Sequence, residues 1–398
     1  MRLMFVSALG VTAAHAQVAV QAKTVYTMAG AAIENGVVLV RDGKIEQVGT
    51  ASEVSVPSGY RVLEADVLTP GLIDAHSVVG LAGYLNQPQD SDQLETSAPV
   101  QPELRAVDAF STRDRLVEWL RGLGVTTIHT GHAPGALVSG QTMIVKTTGE
   151  ETERAVVVPT AMIAATLGSA GLAEDDKSPG TRAKAVAVLR SELIKTQEYL
   201  AKAKRSEDER PDRDLRLEAL GRVLRQELPL LVTAHRVTDI TAALRVAQEF
   251  DIRVVLDGAA EAYLVTEAIK AAGVPVILHP TMARADGDLE NLSMETAATL
   301  RKAGIPLALQ AGYESYVPKT RVVLFEAAVA AANGLTREEA LAAITIDAAR
   351  ILGVDERLGS LETGKDADLV LFDGDPFEYT SHVVGVLING QVISSEPH

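Results

Sequence analysis

Cysteine is absent from this chain of 398 residues, which excludes a disulfide framework, thiolate metal ligands and a cysteine nucleophile. Basic residues are in deficit, because 37 Lys and Arg stand against 53 Asp and Glu for a net charge of −16. Phosphate binding needs a basic surface, so we expect no nucleic-acid partner. No apolar run reaches the roughly 18–20 residues that cross a bilayer, so we also expect no membrane span.

Several catalytic motifs are missing as well. The chain has no HExxH, no G-x-S-x-G elbow and no P-loop, which removes the commonest zincin, serine-hydrolase and nucleotide signatures. What is present is a hydrophobic content of 47%, enough for a large core, and a length that predicts one large domain with a smaller one. Three options stay open: metal-assisted hydrolysis, acid–base chemistry by imidazole and carboxylate, and binding without chemistry.

The first 16 residues have the pattern of an export signal. Arg2 precedes the apolar stretch LMFVSALGVTAA, and Ala14-His15-Ala16 has the small-x-small form of a cleavage site before Gln17. We therefore predict a signal peptide over 1–16 and a periplasmic or secreted protein. The same stretch also fits a buried first strand.

Both ends of the chain are rich in strand signals. Asp42-Gly43 lies between two strand-like runs in VVLVRDGKIEQVG, and Asn389-Gly390 occupies the same kind of position near the C-terminus; each dipeptide is typical of a β-hairpin turn. The simplest arrangement is a small β-sandwich domain assembled from 17–69 and 355–398, with a larger domain, 70–354, inserted between its halves.

The inserted segment alternates apolar strands with amphipathic helices, which predicts an α/β fold with parallel strands and crossover helices. The number of strands fits a (β/α)8 TIM-like barrel, for which about 250 residues are typical. A doubly wound open sheet is the alternative, although the chain has no glycine-rich dinucleotide fingerprint to favour it. The candidate strands are 71–76, 124–130, 155–164, 229–235, 252–258, 274–280 and 305–312.

Four histidines stand at the carboxyl ends of these strands: His76, His129, His235 and His279. His132 follows three residues after the second of them. In an α/β barrel the carboxyl ends of the strands carry the chemistry, so the pattern predicts a pocket lined by imidazoles.

Several stretches together resemble the amidohydrolase superfamily, and most of all its imidazolonepropionase-like branch. They are LTPGLIDAHS, GVTTIHT, SLETGKDADLVLFDGDP and LINGQVI. The resemblance implies a (β/α)8 barrel with a two-ended β-domain, and hydrolysis of C–N bonds by metal-activated water. It also implies metal ligands from an H-x-H motif on strand 1, one histidine each on strands 5 and 6, and an aspartate on strand 8.

Most of these implied ligand positions hold other residues here. His76 matches the first histidine of H-x-H, but Val78 stands at the second. The strand-5 position falls on Thr233 and the strand-6 position on Gly258, beside Asp257. At the end of strand 8, Gln310, Ala311 and Gly312 stand in place of the aspartate. The ordinary metal centre is therefore not expected to form.

A relocated site is geometrically conceivable, and its catalytic candidates are His76, His235, His279 and Asp257, with Asp74 as an alternative carboxylate. No cofactor is firmly indicated; a single zinc ion at a non-standard site would have His76 and His235 as ligands. The candidates for substrate binding are His129, His132, Gln310 and Arg321.

The sequence therefore supports two functions. The first is a hydrolase of C–N bonds in small amide-like or dipeptide substrates with an atypical, metal-depleted site. The second is an inactive homologue that acts as a binding protein or oligomer partner. We expect a homo-oligomer, or a complex with a paralogue that retains the ligands.

Overall fold

The computed structural model describes residues 17–85, 87–149, 151–173, 178–205, 210–278, 283–312 and 323–394. Strands and helices alternate through the middle of the chain, so the predicted α/β class is confirmed. Among the described residues, every helix is too short or too polar to cross a lipid bilayer.

Seventeen strands occur in the described part of the chain. In chain order they are β1 (Val18–Val25), β2 (Ile33–Arg41), β3 (Lys44–Thr50), β4 (Arg61–Pro70), β5 (Leu72–Ser77), β6 (Val125–Thr130), β7 (Val138–Gln141), β8 (Met143–Lys146), β9 (Val156–Val158), β10 (Ile163–Thr166), β11 (Leu230–Ala234), β12 (Val254–Gly258), β13 (Val276–Leu278), β14 (Leu307–Leu309), β15 (Leu369–Phe372), β16 (Val383–Ile388) and β17 (Gln391–Ser394).

The described helices all lie between β6 and β15 except the first, which precedes β6. They are α1 (Arg115–Gly122), α2 (Thr152–Ala155), α3 (Arg182–Ala203), α4 (Leu215–Leu224), α5 (Val237–Phe250), α6 (Thr266–Ala272), α7 (Thr296–Ala303), α8 (Val323–Ala332), α9 (Arg337–Ala343) and α10 (Ile346–Leu352).

Both chain ends contribute strands to one seven-stranded sheet, in the order β17-β16-β15-β4-β1-β2-β3. Its two predicted hairpins are present. Asp42 and Gly43 have φ values of 51° and 79°, and Asn389 and Gly390 have 50° and 73°. Two successive positive φ values are what a tight turn between twisted strands requires, and Asn, Asp and Gly tolerate them best.

The central strands form a six-stranded sheet, β14-β13-β12-β11-β10-β7, and a four-stranded sheet, β5-β6-β8-β9. Strands β10 to β14 run parallel, and so do β5 and β6, so their carboxyl ends share one edge. Strand pairing among the described residues leaves two sheets rather than one closed ring. Asp74 of β5 links them, because its Oδ1 accepts a bond of 3.0 Å from the backbone N–H of Ala311, just after β14.

The single strand predicted over 155–164 was wrong. The structure has β9 and β10 there, in different sheets, with Pro159 between them. Proline lacks the N–H that a ladder needs, so it ends the first strand. Strands β7 and β8 were missed, because their segment contains Gly140 and polar residues that blur the alternation.

A buried ammonium group joins the four-stranded sheet to the terminal sheet. The Lys146 side chain is 3% exposed, and its Nζ lies 2.8 Å from Asp366 and 3.0 Å from Asp368. It also donates to the Asn389 side chain at the second hairpin. Burying a cation is costly unless carboxylates compensate it, so these groups hold the two sheets together as one unit.

We predict that Lys146→Met lowers the free energy of unfolding by about 3–5 kcal/mol, since it leaves two buried carboxylates without their shared cation. Urea denaturation monitored by circular dichroism measures the loss. Lys44→Met is the matched control: Lys44 also contacts Asp366, but its side chain is 50% exposed, so we expect less than about 1 kcal/mol. Equal losses in the two variants would contradict this account.

The same cluster predicts that the free energy of unfolding decreases at acidic pH. Burial alone would raise the pKa of Asp366, but the charge and hydrogen bond of Lys146, with bonds from Lys44 and Arg357, lower it to about 2. A carboxylate with a depressed pKa stabilises the fold above its unfolded value of about 3.9, and this stability is lost as pH falls toward 2. Urea titrations across that range should show a shallower pH dependence for Asp366→Asn than for the unaltered protein; identical slopes would contradict the assignment.

Candidate active site

A cavity of about 240 Å³ opens at the shared carboxyl edge of the central strands. Some of the residues that line it belong to the strand ends, and the others belong to the loops above them. The lining residues are His76, Ser77, Val78, Pro134, Ala170, Thr233, His235, Asp257, Leu289, Gln310 and Gly312. This is the edge at which the sequence predicted a pocket.

A buried ion pair lies at the centre of the cavity wall. The Nδ1 of His76 is 2.8 Å from Oδ1 of Asp257, and the two side chains are 5% and 3% exposed. Burial lowers the pKa of His76, but the charge and hydrogen bond of Asp257, with a contribution from Asp74, outweigh it and raise the pKa above its usual value. The carboxylate of Asp257 only accepts, so Nδ1 of His76 donates to it, and Nε2 of His76 has no hydrogen-bond partner among the described residues.

Three side chains donate hydrogen bonds to the carboxylate of Asp257. Its Oδ1 accepts from His76 and, at 2.8 Å, from Nε2 of Gln310; its Oδ2 accepts from Oγ1 of Thr233 at 2.6 Å. Burial raises the pKa of this carboxyl, but the His76 charge and the three hydrogen bonds lower it to about 2. Asp257 is thus a fixed anion and a weak base.

The register of β11 and β12 corrects one sequence assignment. Thr233 pairs with Asp257 in the parallel ladder, and paired residues of parallel strands face the same side. Asp257, rather than Gly258, therefore occupies the strand-6 level of the site. Gly258 has a φ of 79°, and a Cβ there would lie 2.4 Å from Cε1 of His235, so glycine makes room for that imidazole.

His235 follows β11 and lines the cavity beside Gly258. Burial lowers its pKa, while Asp257 and Asp288 raise it by less, so the net shift is downward. The two imidazoles of the site thus have pKa values displaced in opposite directions, upward for His76 and downward for His235.

His129 is tied to the protein by both ring nitrogens. Its Nδ1 lies 2.7 Å from the carbonyl oxygen of Ala75, which only accepts, so Nδ1 carries the proton; Nε2 accepts from Oγ1 of Thr142 at 2.6 Å. Burial and the charge of His76 lower its pKa to about 3. His129 is a neutral structural residue behind the cavity wall, and we do not assign it to substrate.

His132 also lies outside the cavity lining. Its ring packs against Gly140, where a Cβ would approach Nε2 to 2.4 Å. Burial lowers its pKa to about 4, so it is neutral near pH 7. Two further sequence candidates, His279 and Arg321, lie outside the described residues, whereas Gln310 lines the cavity and bonds to Asp257.

The donor set does not fit the metal centre of the family that the sequence resembles. Val78 is buried in an apolar cluster with Ala82 and Ala133, and Leu94 of the long loop after β5 packs over it. Both oxygens of Asp257 are occupied by hydrogen bonds. Among the described residues, no group of three or more His, Asp or Glu side chains has the arrangement of a metal site.

Sequence reasoning missed the three loop residues that cover the cavity, Pro134, Ala170 and Leu289. They are apolar, lie far apart in the chain and belong to no motif. It also missed the Thr233–Asp257–Gln310 chain of bonds. The only signal available for it was the register of the neighbouring strands, because the register sets which residues lie side by side in the sheet.

Comparisons with known proteins agree with this fold. A family model described as "Amidohydrolase family" matches residues 112–394. The amidohydrolase TasK of Hapsidospora irregularis is 27% identical over 91% of this chain, which spans 41% of the length of that relative. An imidazolonepropionase of Geobacillus sp. (strain WCH70) is 27% identical over 91% of this chain and 90% of its own.

A solved structure is also similar over almost the whole length. The crystal structure of an amidohydrolase from Thermotoga maritima MSB8 superposes with a TM-score of 0.90 at 30% identity, covering 95% of this chain and 100% of the other. The match extends over the terminal strands as well as the central sheets. This protein therefore belongs to the amidohydrolase family, on its imidazolonepropionase-like branch.

Proposed function

We propose that this protein hydrolyses a carbon–nitrogen bond of a small amide-like substrate at a site that uses two imidazoles in place of a metal ion. One observation carries the proposal: His76 and His235 line the same cavity, and their pKa values are displaced in opposite directions. Titratable neighbours that are driven apart in this way are suited to separate acid and base roles.

The chemistry uses only groups of this chain and a water molecule. The substrate carbonyl oxygen accepts a hydrogen bond from Nε2–H of His76, whose positive charge stabilises the developing oxyanion. Neutral His235 takes a proton from the attacking water as the C–O bond forms. The His235 imidazolium formed in this step then returns that proton to the leaving nitrogen as the C–N bond breaks. Asp257 keeps His76 oriented and charged throughout.

The same comparisons support a proposal for the wider architecture. We infer that the two central sheets together form the (β/α)8 barrel of the family, and that the seven-stranded sheet belongs to a small β-sandwich domain built from 17–69 and 355–398 around 70–354. The proposed signal peptide, 1–16, lies outside the described residues, and with it we propose a periplasmic or secreted protein that acts as a homo-oligomer or with a full-ligand paralogue.

A second function, binding without chemistry, is favoured by the bonding of Asp257. Three donors engage its carboxylate and its pKa is about 2, so it is a weak base for activating water, and Leu94 packs against Val78. In this alternative the cavity binds a small ligand, or the chain acts as a partner of an active paralogue. Ligand binding with no turnover would distinguish it.

We predict that hydrolysis of a panel of cyclic amides, N-acyl compounds and dipeptides survives dialysis against a chelator, because no metal takes part. His76→Gln and His235→Gln should each lower kcat by about a hundredfold, the usual contribution of a positioned acid or base. His382→Gln is the control, since this half-exposed histidine bonds to Asp373 and does not line the cavity.

Elemental analysis by mass spectrometry accompanies the activity assays. Near-stoichiometric zinc that is lost in His76→Gln or His235→Gln, with activity restored by added zinc, would overturn the metal-independent proposal. Turnover absent from the unaltered protein, together with calorimetric evidence of ligand binding, would favour the second function.

The two imidazoles also predict a bell-shaped profile of kcat/KM against pH. Activity should rise as His235 loses its proton, below the ordinary histidine pKa of about 6.5, and fall as His76 loses its own, above that value. Initial-rate assays across this pH range measure both the rising and the falling side of the profile. Gln310→Leu, which removes one donor to Asp257, should shift the limbs without abolishing activity; a profile with no alkaline limb would contradict the role of His76.

A further inference from the structure

A polar clasp joins the two loops that cover the cavity. Asp288, in the short 3-10 helix Gly287–Leu289, accepts hydrogen bonds of 2.7 Å from both the backbone N–H and the hydroxyl of Ser169. The next residue in each loop, Ala170 and Leu289, lines the cavity. The clasp therefore fastens the loops directly beside the two apolar residues that border the cavity.

One guanidinium extends the clasp to the neighbouring helices. Arg182, the first residue of α3, donates from Nη2 to Asp288 at 2.8 Å and from Nε to Asp239 of α5 at 2.9 Å. Gly168 permits the close approach, since a Cβ there would lie 2.9 Å from Asp288 and 3.0 Å from Asp239. Its φ of 115° also favours glycine.

The covering loop is held by polar bonds, of which the clasp lies nearest to the cavity-lining residues; farther along, Arg236 pairs with Glu290 at 2.8 Å and Asn291 donates to Glu261 at 2.7 Å. None of the three residues of Gly287–Leu289 is buried, so little apolar packing opposes its release. The Asp288 side chain is 14% exposed and that of Arg182 39%, which places the bonds at the solvent edge. Segments with few buried apolar contacts open locally at low free-energy cost.

We propose that Ser169, Asp288 and Arg182 are positioning residues that gate the cavity, and that the closed clasp limits its ligands to small ones. The cavity volume of about 240 Å³ is below the roughly 300–1,000 Å³ of ordinary ligand pockets. The gate rests on the proposed use of the cavity as a substrate site. It acts through Leu289 and Ala170, which border the space that the substrate would occupy.

The test measures access to the cavity rather than turnover. Diethyl pyrocarbonate acylates neutral imidazoles, and peptide mass spectrometry of the full chain reports the rate at each histidine. At about pH 7.5, above the usual histidine pKa of about 6.5, His235 is neutral, so loss of the Asp288 charge does not change its reactive fraction. His382 serves as an exposed reference, and His129 reports unfolding because both its nitrogens are bonded.

We expect Asp288→Ala to accelerate labelling of His235 by about tenfold, the order by which losing a charged hydrogen bond shifts an opening equilibrium. Ser169→Ala, which keeps the backbone bond, should give a smaller increase. Asp286→Ala is the matched control: it removes a charge two residues away, on an exposed side chain that makes no capping bond.

An unchanged His235 rate in both clasp variants, with His129 protected, would overturn the gate. If Asp288→Ala exposes His129, that variant has unfolded and Ser169→Ala decides the question. The labelling rate tests the gate, whereas turnover tests the proposed function. Faster labelling in the clasp variants would support the gate even if the protein showed no hydrolytic turnover, and the absence of turnover would refute only the proposed function.

Discussion

The ion pair between His76 and Asp257 determines the character of the site. A buried carboxylate must be neutralised, and here an imidazolium, a hydroxyl and an amide supply the charge and hydrogen bonds that it needs. These three donors fix the carboxylate, which in turn holds His76 in one orientation. The Nε2 of His76 has no hydrogen-bond partner among the described residues, so it is the atom through which the proposed function would use this ring.

Neighbouring features make sense as consequences of that arrangement. His129 must be neutral, since a second cation with its ring centroid 5.6 Å from that of His76 would be repelled, and its bonds to Ala75 and Thr142 select the neutral tautomer. Val78 needs apolar neighbours rather than a metal, and Leu94 of the long loop provides them. The site is a consistent alternative packing of the family scaffold, in which each altered position has its own compensating contact.

Much of the fold was predictable because its signals are local. Asp42-Gly43 and Asn389-Gly390 specify hairpins through the backbone conformations they tolerate, and the buried strands β5 and β6 are apolar runs bounded by turns. The failures were equally local in cause. Pro159 divided one predicted strand, and the weakly patterned segment around Gly140 concealed β7 and β8. The Lys146 cluster joins residues more than 200 positions apart, which no periodicity encodes.

The sequence alone determined the α/β class, the family and the edge of the sheet at which the histidines gather, because strand ends and motifs are legible in the order of residues. Only the tertiary structure decided that Asp257 rather than Gly258 faces Thr233, that His129 is fully bonded, and that Ser169 meets Asp288 above the cavity. These outcomes depend on strand register and on contacts between loops distant in the chain. A shift of a single residue reverses the direction of a side chain, so such details follow from packing and not from composition or spacing.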